Sequence, residues 1–336
     1  FFKSSQNPTD QLLSIIICHR NKTLLQSLKA NIEATIGIPY ELLIIDNINN
    51  YYTILSAYNE GVRKAKYNIV CFAHEDILFY TSDWGKKAVA HFRDQKVGMI
   101  GVIGGMTQSV VPSAWWFNNY FARSARNLLM KDPSKKDKKL YHYYSNPFNE
   151  VEKTEVAIID GLWFCVRKDL FEKISFDEKT FTGFHLYDAD ISMQVLQHSK
   201  NYVVYDILIE HMWSGNISES YYKDLCSFAT KWTNYLPVQN NNIESDYMNK
   251  YNWHALRSLI LEMKAKNISK ELIQEIVKKY YPVARQNFKS LWFRNYFLVS
   301  EIFGYRYTNS LFYRIEKVVG FCKTPDYIKR EYIEIL

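Results

Sequence analysis

The strongest constraint on this chain is the alternation, over its first hundred residues, of short continuous apolar runs with helical patterns. Leu12-Leu-Ser-Ile-Ile-Ile-Cys18 is apolar on both faces, and Leu24, Leu25, Leu28 and Ile32 follow at a helical spacing. The runs Glu41–Asp46 and Asn68–Ala73, with a helix over Ile54–Lys66 between them, repeat the pattern. Strands of this kind predict an α/β fold, a Rossmann-like, mostly parallel sheet covered on both sides by crossover helices. Ligands of such sheets sit beyond the carboxyl ends of the strands. The segments Cys18-His-Arg-Asn21, Asp46-Asn-Ile-Asn49 and His74-Glu-Asp76 therefore carry the search for a site.

Composition narrows the function classes. Of 336 residues, 47% are apolar and 23% charged, which excludes a disordered chain and allows one large domain or two smaller ones. Forty-two Lys and Arg against thirty-five Asp and Glu leave a formal +7, suited to anionic partners such as nucleotide phosphates or lipid head groups. The basic residues are dispersed, so nucleic acid is not an expected partner. Cys18, Cys71, Cys165, Cys226 and Cys322 lie far apart, without a zinc spacing or a disulfide framework. The run Leu12–Cys18 lacks a basic leader, and the uncharged stretch Val97–Ala122 is interrupted by glycines and Pro112, so neither a secretory signal nor a membrane span is expected. The reading is a cytoplasmic protein.

Beyond a helix around Asp83–Arg93 and a strand over Gly98–Ile103, the pattern dissolves between Gly104 and Glu150. This stretch holds Trp115, Trp116 and the charged run Lys131–Lys139, which reads as a solvated loop long enough to act as a lid. Glu155–Asp160, Leu162–Val166 and Tyr202–Ile209 read as strands, with helices near Asp169, over Asp188–His198 and after Glu219. Asn240–Ser245 is the best linker, dividing a domain over 1–239 from a helical extension over 240–336. That extension, with helices at Leu256–Lys264, Lys270–Tyr280 and Trp292–Glu316, is expected to dock on the domain; dimerisation or an anionic membrane surface are the alternatives.

Several strand ends carry polar groups that could do chemistry. Asp46 can accept hydrogen bonds from a nucleobase edge or ribose hydroxyls, or simply cap a turn. His74 and Asp76 share one direction, and Asp76 could give an oxygen ligand to Mg²⁺ or Mn²⁺ shared with phosphate. Asp188 and Asp190 open an amphipathic helix, where one can cap and the other serve as a general base. His211 follows a strand and is aimed at the same edge.

In their order and spacing, Leu13–Asn21, Glu41–Asp46, Asn59-Glu-Gly61, His74-Glu-Asp76, Asp160-Gly161, Gly183-Phe-His-Leu-Tyr-Asp-Ala-Asp190 and His211-Met-Trp-Ser-Gly215 resemble the inverting family 2 glycosyltransferases of GT-A fold. The resemblance is to the bacterial subgroup whose metal motif reads His-x-Asp, and it covers Leu12 to Tyr235. It implies that Asp46 holds the base, usually uracil, and that Asn59 and Gly61 line the nucleotide pocket. It further implies that Asp76 and His211 hold a divalent cation or the diphosphate, with His74 in place of the first acid of an Asp-x-Asp motif and Glu75 beside them on the donor side. Asp160 and Gly161 touch the donor sugar, Asp188 is the catalytic base, and Tyr187 stands where the motif usually has Glu. Trp163, Trp115, Trp116, His185, Tyr187 and Asp190 remain candidates for acceptor contacts or a lid, with core packing an equal reading of Trp163.

The implied activity moves a sugar from a nucleotide sugar, a UDP-sugar favoured, to a glycan or lipid-linked hydroxyl with inversion, in bacterial surface polysaccharide or glycoprotein glycan synthesis. A nucleotidyltransferase would need a glycine-rich loop where Cys18-His-Arg-Asn-Lys22 stands. A non-catalytic carbohydrate-binding relative would have no use for both Asp76 and Asp188.

Overall fold

The computed structural model describes residues 12–115, 124–131, 139–212, 217–239, 245–284 and 333–334. The chain opens with β1 (Leu13–His19), α1 (Lys22–Thr35), β2 (Tyr40–Asp46), α2 (Ile54–Lys64) and β3 (Ile69–Ala73), in the order the periodicity predicts. Ile15, Ile16 and Ile17 of β1 have no exposed surface, because β2 and β3 pair with it in parallel and helices cover the faces. Asn21 starts α1 by accepting the Thr23 and Leu24 amides, and Thr53 starts α2 by accepting that of Ser56.

Next come β4 (Ile77–Phe79), α3 (Trp84–His91), β5 (Val97–Gly101), β6 (Ile103–Gly105), β7 (Thr107–Gln108), β8 (Ser124–Lys131) and β9 (Leu140–Ser145). They are followed by β10 (Lys153–Val156), β11 (Ile158–Ile159), β12 (Trp163–Arg167), α4 (Tyr187–Leu196), β13 (Lys200–Val204) and β14 (Ile209–His211). The chain continues through α5 (Glu219–Lys231), β15 (Val238–Gln239), α6 (Ser245–Ala265) and α7 (Lys270–Ala284).

The main sheet has seven strands in the order β2-β1-β3-β12-β5-β13-β10. Five run one way, while β12, inserted between β3 and β5, and the edge strand β10 run against them. This is the mostly parallel, helix-flanked α/β arrangement that the sequence pattern predicts. A second sheet, β11-β6-β8-β14-β4, stands beside the carboxyl ends of the first.

Three expectations are corrected. The stretch after Gly104, expected to lack regular structure, contributes β8 and β9 to the second sheet beside β6, and β7 to a small sheet with β15; residues 132–138 of the charged run lie outside the described residues. The run Tyr202–Ile209 is two strands in different sheets, β13 and β14, and His211 lies inside β14 rather than beyond a strand. The helix near Asp169 is one 3₁₀ segment, Lys168–Glu172.

The helices α6 and α7 share the core of the sheets: Tyr251, Trp253, Leu256, Ile260 and Met263 are buried in the same hydrophobic cluster as β1 and β12. Ser109 donates to Asn252 at 2.7 Å and Tyr222 donates to Glu262 at 3.4 Å. The extension thus docks on the domain over its described part, while the helix expected at Trp292–Glu316 and most of the Asn240–Ser245 linker lie outside the described residues. Among the described residues no helix is long and apolar enough to cross a membrane.

Candidate active site

Sheet register builds the site. Trp163 of β12 pairs with Ala73 of β3, and the His74 amide donates to the Leu162 carbonyl at 3.0 Å, which brings Gly161 beside His74. On the other side His211 pairs with Ile77, and the Met212 amide donates to the Asp76 carbonyl at 2.9 Å, which seats His211 next to Asp76. The ligand-type atoms of His74, Asp76 and His211 all lie within 4.8 Å of one another. His74 Nδ1 is 3.8 Å and His211 Nε2 3.6 Å from Asp76 carboxylate oxygens.

Burial, offset only in part by Asp76, pushes the His74 imidazole down to about 4, so its ring is neutral at neutral pH. Burial also acts to raise the Asp76 carboxyl, but the hydrogen bond and charge of His211 and, in the acid range where this carboxyl titrates, the charge of His74 outweigh it and hold it below the ordinary range. Two imidazoles and a carboxylate, with the carboxylate ionised and His74 uncharged, are a donor set that fits Mn²⁺ better than Mg²⁺, which prefers oxygen ligands throughout. Sequence reading placed His74 on the donor side; the structure groups it with Asp76 and His211.

Asp188 enters from the first turn of α4. Leu186, just before it, adopts the left-handed region at φ 64°, a turn that costs about 1 kcal/mol for a residue with a Cβ and swings the chain into the helix. Asp188 Oδ2 accepts the Gly161 amide at 3.0 Å and Oδ1 accepts the Ala189 amide at 2.8 Å. Burial and the nearby charge of Asp160 nonetheless raise its carboxyl to about 7. Asp160 is raised too, by burial, against the pull of His211, Trp115 and Arg126. Two carboxylates that resist ionisation together suit a site in which one holds or accepts a proton near neutral pH.

His74, Asp76, Asp160, Gly161, Asp188 and His211 line one cavity of 640 Å³. His185, Tyr187 and Trp115 line it as well; His185 packs edge-on against Tyr221, and Trp115 lies under the Arg126 guanidinium, 5.7 Å from its ring centre. Asp46 is exposed at the end of β2, on the same carboxyl edge, where it pairs with His19 and accepts the Ile48 amide at 3.1 Å; it does not line this cavity.

Other sequence candidates have different work. Trp163 is fully buried in the core, edge-on to Phe79 and Trp84, and touches no ligand space. Asp190 is 1% exposed and takes hydrogen bonds from Gln194, Lys231 and Trp232, which bind α4 to α5. Asn59 grips the backbone of Phe176 from both sides, at 2.8 and 3.0 Å, and Gly61 is where α2 meets β1: a Cβ there would lie 2.4 Å from Ile16. Neither lines the cavity. Glu75 turns away, accepting His19 Nδ1 and the Arg20 and Asn21 amides, so it ties the β1–α1 turn to the β3 end. Trp116 lies outside the described residues.

Sequence reasoning missed Gln108, Arg126, Tyr221, Glu262 and Lys266, all on the cavity wall. None sits at the end of a recognisable strand. Arg126 lies in the stretch without a period, and Glu262 reads as one more charge on an amphipathic helix.

Comparison with known proteins matches the Glycosyltransferase like family over residues 14–232. The chain belongs to this family. Its relatives include the streptomycin biosynthesis protein StrF of Streptomyces griseus, 26% identical over 164 residues, which are 48% of this chain and 52% of StrF. The chain thus spans about half the length of that relative. Among solved structures, GalNAc-T7 with UDP, GalNAc and Mn²⁺ is similar over 83% of this chain and 58% of its own at 9% identity and a TM-score of 0.44. A197 from STIV is similar over 60% of this chain and 86% of its own at 12% identity and a TM-score of 0.34.

Proposed function

We propose that this glycosyltransferase-family protein moves a sugar from a nucleotide-diphosphate sugar, a UDP-sugar favoured, to a hydroxyl of a glycan or lipid-linked acceptor, with inversion at the anomeric carbon. The observation that carries the reading is the meeting of Asp188 with His74, Asp76 and His211 around one cavity, although 114 positions separate Asp188 from His74. Asp188 is fixed by the Gly161 and Ala189 amides and takes the proton of the acceptor hydroxyl as that oxygen attacks. A carboxyl near 7 is ionised often enough at neutral pH to act, yet basic enough to hold the proton it takes. Attack and departure on opposite faces of the sugar give inversion in one displacement.

His74, Asp76 and His211 would hold a divalent cation, Mn²⁺ fitting best, and such an ion neutralises charge on a departing diphosphate. Asp46, exposed at the strand edge, takes the base. The far wall of the cavity, where α6 contributes Glu262 and the turn after it Lys266, is the acceptor side. Surface polysaccharide or glycoprotein glycan synthesis, in the cytoplasm or at the inner face of the membrane, is the setting in which such acceptors occur. The β1–α1 turn argues against nucleotidyl transfer: Glu75 and the Asn21 side chain already occupy the amides of Arg20, Asn21, Thr23 and Leu24, which a triphosphate would need.

The test is a panel of UDP-, GDP- and dTDP-sugars with and without Mn²⁺, run on wild type and Asp188→Asn. The variant is expected to bind nucleotide as wild type does and to transfer sugar about 10²- to 10⁴-fold more slowly. Undiminished turnover in Asp188→Asn would reject the assignment of the base.

A further inference from the structure

The buried Tyr187 hydroxyl has two polar neighbours. It donates to the Gly161 carbonyl at 3.1 Å and lies 2.6 Å from His74 Nε2. A phenol has one proton to give. With that proton on Gly161, the hydroxyl meets His74 as an acceptor, so the ring hydrogen of the neutral imidazole sits on Nε2. Its other nitrogen, Nδ1, then carries a lone pair, and Nδ1 is the atom that faces Asp76.

We infer that Tyr187 is a positioning residue for a divalent cation: it fixes the tautomer and ring plane of His74 so that Nδ1 is offered as a ligand beside Asp76 and His211. The inference rests on the metal reading given above and assigns a role to a residue that reading leaves idle. Gly161 makes the arrangement possible, because a Cβ at that position would stand 2.1 Å from the Tyr187 oxygen. Gly161 also links the two halves of the site. Its carbonyl anchors Tyr187 and, through it, His74, while its amide anchors Asp188. The Tyr187 ring packs edge-on against Tyr58 and Phe184, a role phenylalanine fills equally well. Tyr187→Phe therefore removes the hydrogen-bond relay and leaves the packing.

Two readouts test the inference. The first reads the tautomer directly: ¹⁵N-histidine NMR of the metal-free protein, with His74→Gln to assign the signal, should show wild-type His74 protonated at Nε2, and a loss of that tautomer's dominance in Tyr187→Phe. The second is calorimetry with Mn²⁺ alone, where Tyr187→Phe should bind about 10- to 100-fold more weakly than wild type. In a His74→Ala background the same change should cost nothing more. A wild-type His74 protonated at Nδ1, an unchanged Mn²⁺ affinity in Tyr187→Phe, or an equal loss in the His74→Ala background would each overturn the positioning role. Wild-type protein that takes up no Mn²⁺ would overturn the metal reading itself, a result distinct from the other three.

Discussion

Asp188 owes its basicity to its neighbours rather than to its own chemistry. Two amides stabilise the ionised form, yet burial and the Asp160 charge outweigh them and lift the carboxyl from 3.8 to about 7. The consequence for stability has a definite sign. Between pH 4 and 7 the folded protein keeps a proton that the unfolded chain has released, so stability falls as pH rises through this window and the full penalty stands above it. Asparagine cannot ionise and escapes the penalty. In metal-free protein the melting temperature of Asp188→Asn should gain on that of wild type between pH 4 and pH 8, reflecting a relative stabilisation on the order of a few kcal/mol at most. A difference in melting temperature that stays flat across this range would show that Asp188 is not strained in this way.

At the scale of elements, the site depends on how helices are pinned to strands. The α4 helix is held from behind by Asp190, whose buried carboxylate lies 2.7 Å from Lys231 and accepts the Trp232 indole hydrogen at 2.9 Å. Lys231 in turn reaches Asp177, 2.8 Å away. Asp188 can face the cavity because Asp190, two residues on, is committed to this anchor. The α2 helix is pinned by contact instead, since Gly61 lets it sit directly on Ile16 of β1. Gly61→Ala should cost about 1–3 kcal/mol of stability through overpacking, measured by urea unfolding, with the donor KM unchanged. A raised donor KM at unchanged stability would restore Gly61 to the nucleotide pocket.

Over the whole molecule, the cavity is a joint product of regions that sequence analysis keeps apart. Its floor comes from the ends of β3, β12 and β14, and its far wall includes Glu262 and Lys266 from beyond residue 232, where the family match ends. Burial raises the Glu262 carboxyl, and Tyr222 and Lys266 act to lower it, so the group is held in a defined environment on the cavity wall. An element outside the shared family region is well placed to distinguish acceptors. Glu262→Ala should raise the acceptor KM several-fold and leave the donor KM as it is. Steady-state kinetics with each substrate varied in turn decides the matter, and equal changes in both constants would assign Glu262 to the fold instead.

Sequence alone determined the α/β class, the order of the first elements and the polar groups at strand ends, because continuous apolar runs and helical periodicity are local signals that survive without a structure. His74, Asp76 and Asp188, which the structure brings to one cavity, stood out in the sequence because each lies beside the end of a strong period, whereas His211 stood out as the end of a run that the structure divides into two strands. The roles of Trp163, Asp190, Asn59 and Gly61 were not legible, since a residue at the right spacing reads alike whether it faces a cavity or its own core. Only the tertiary structure decided that the stretch after Gly104 adds strands to a second sheet, that His74 stands with Asp76 and His211, and that α6 contributes to the cavity wall. Those facts depend on strand register and long-range packing, which join residues far apart in the chain and leave no periodic trace along it.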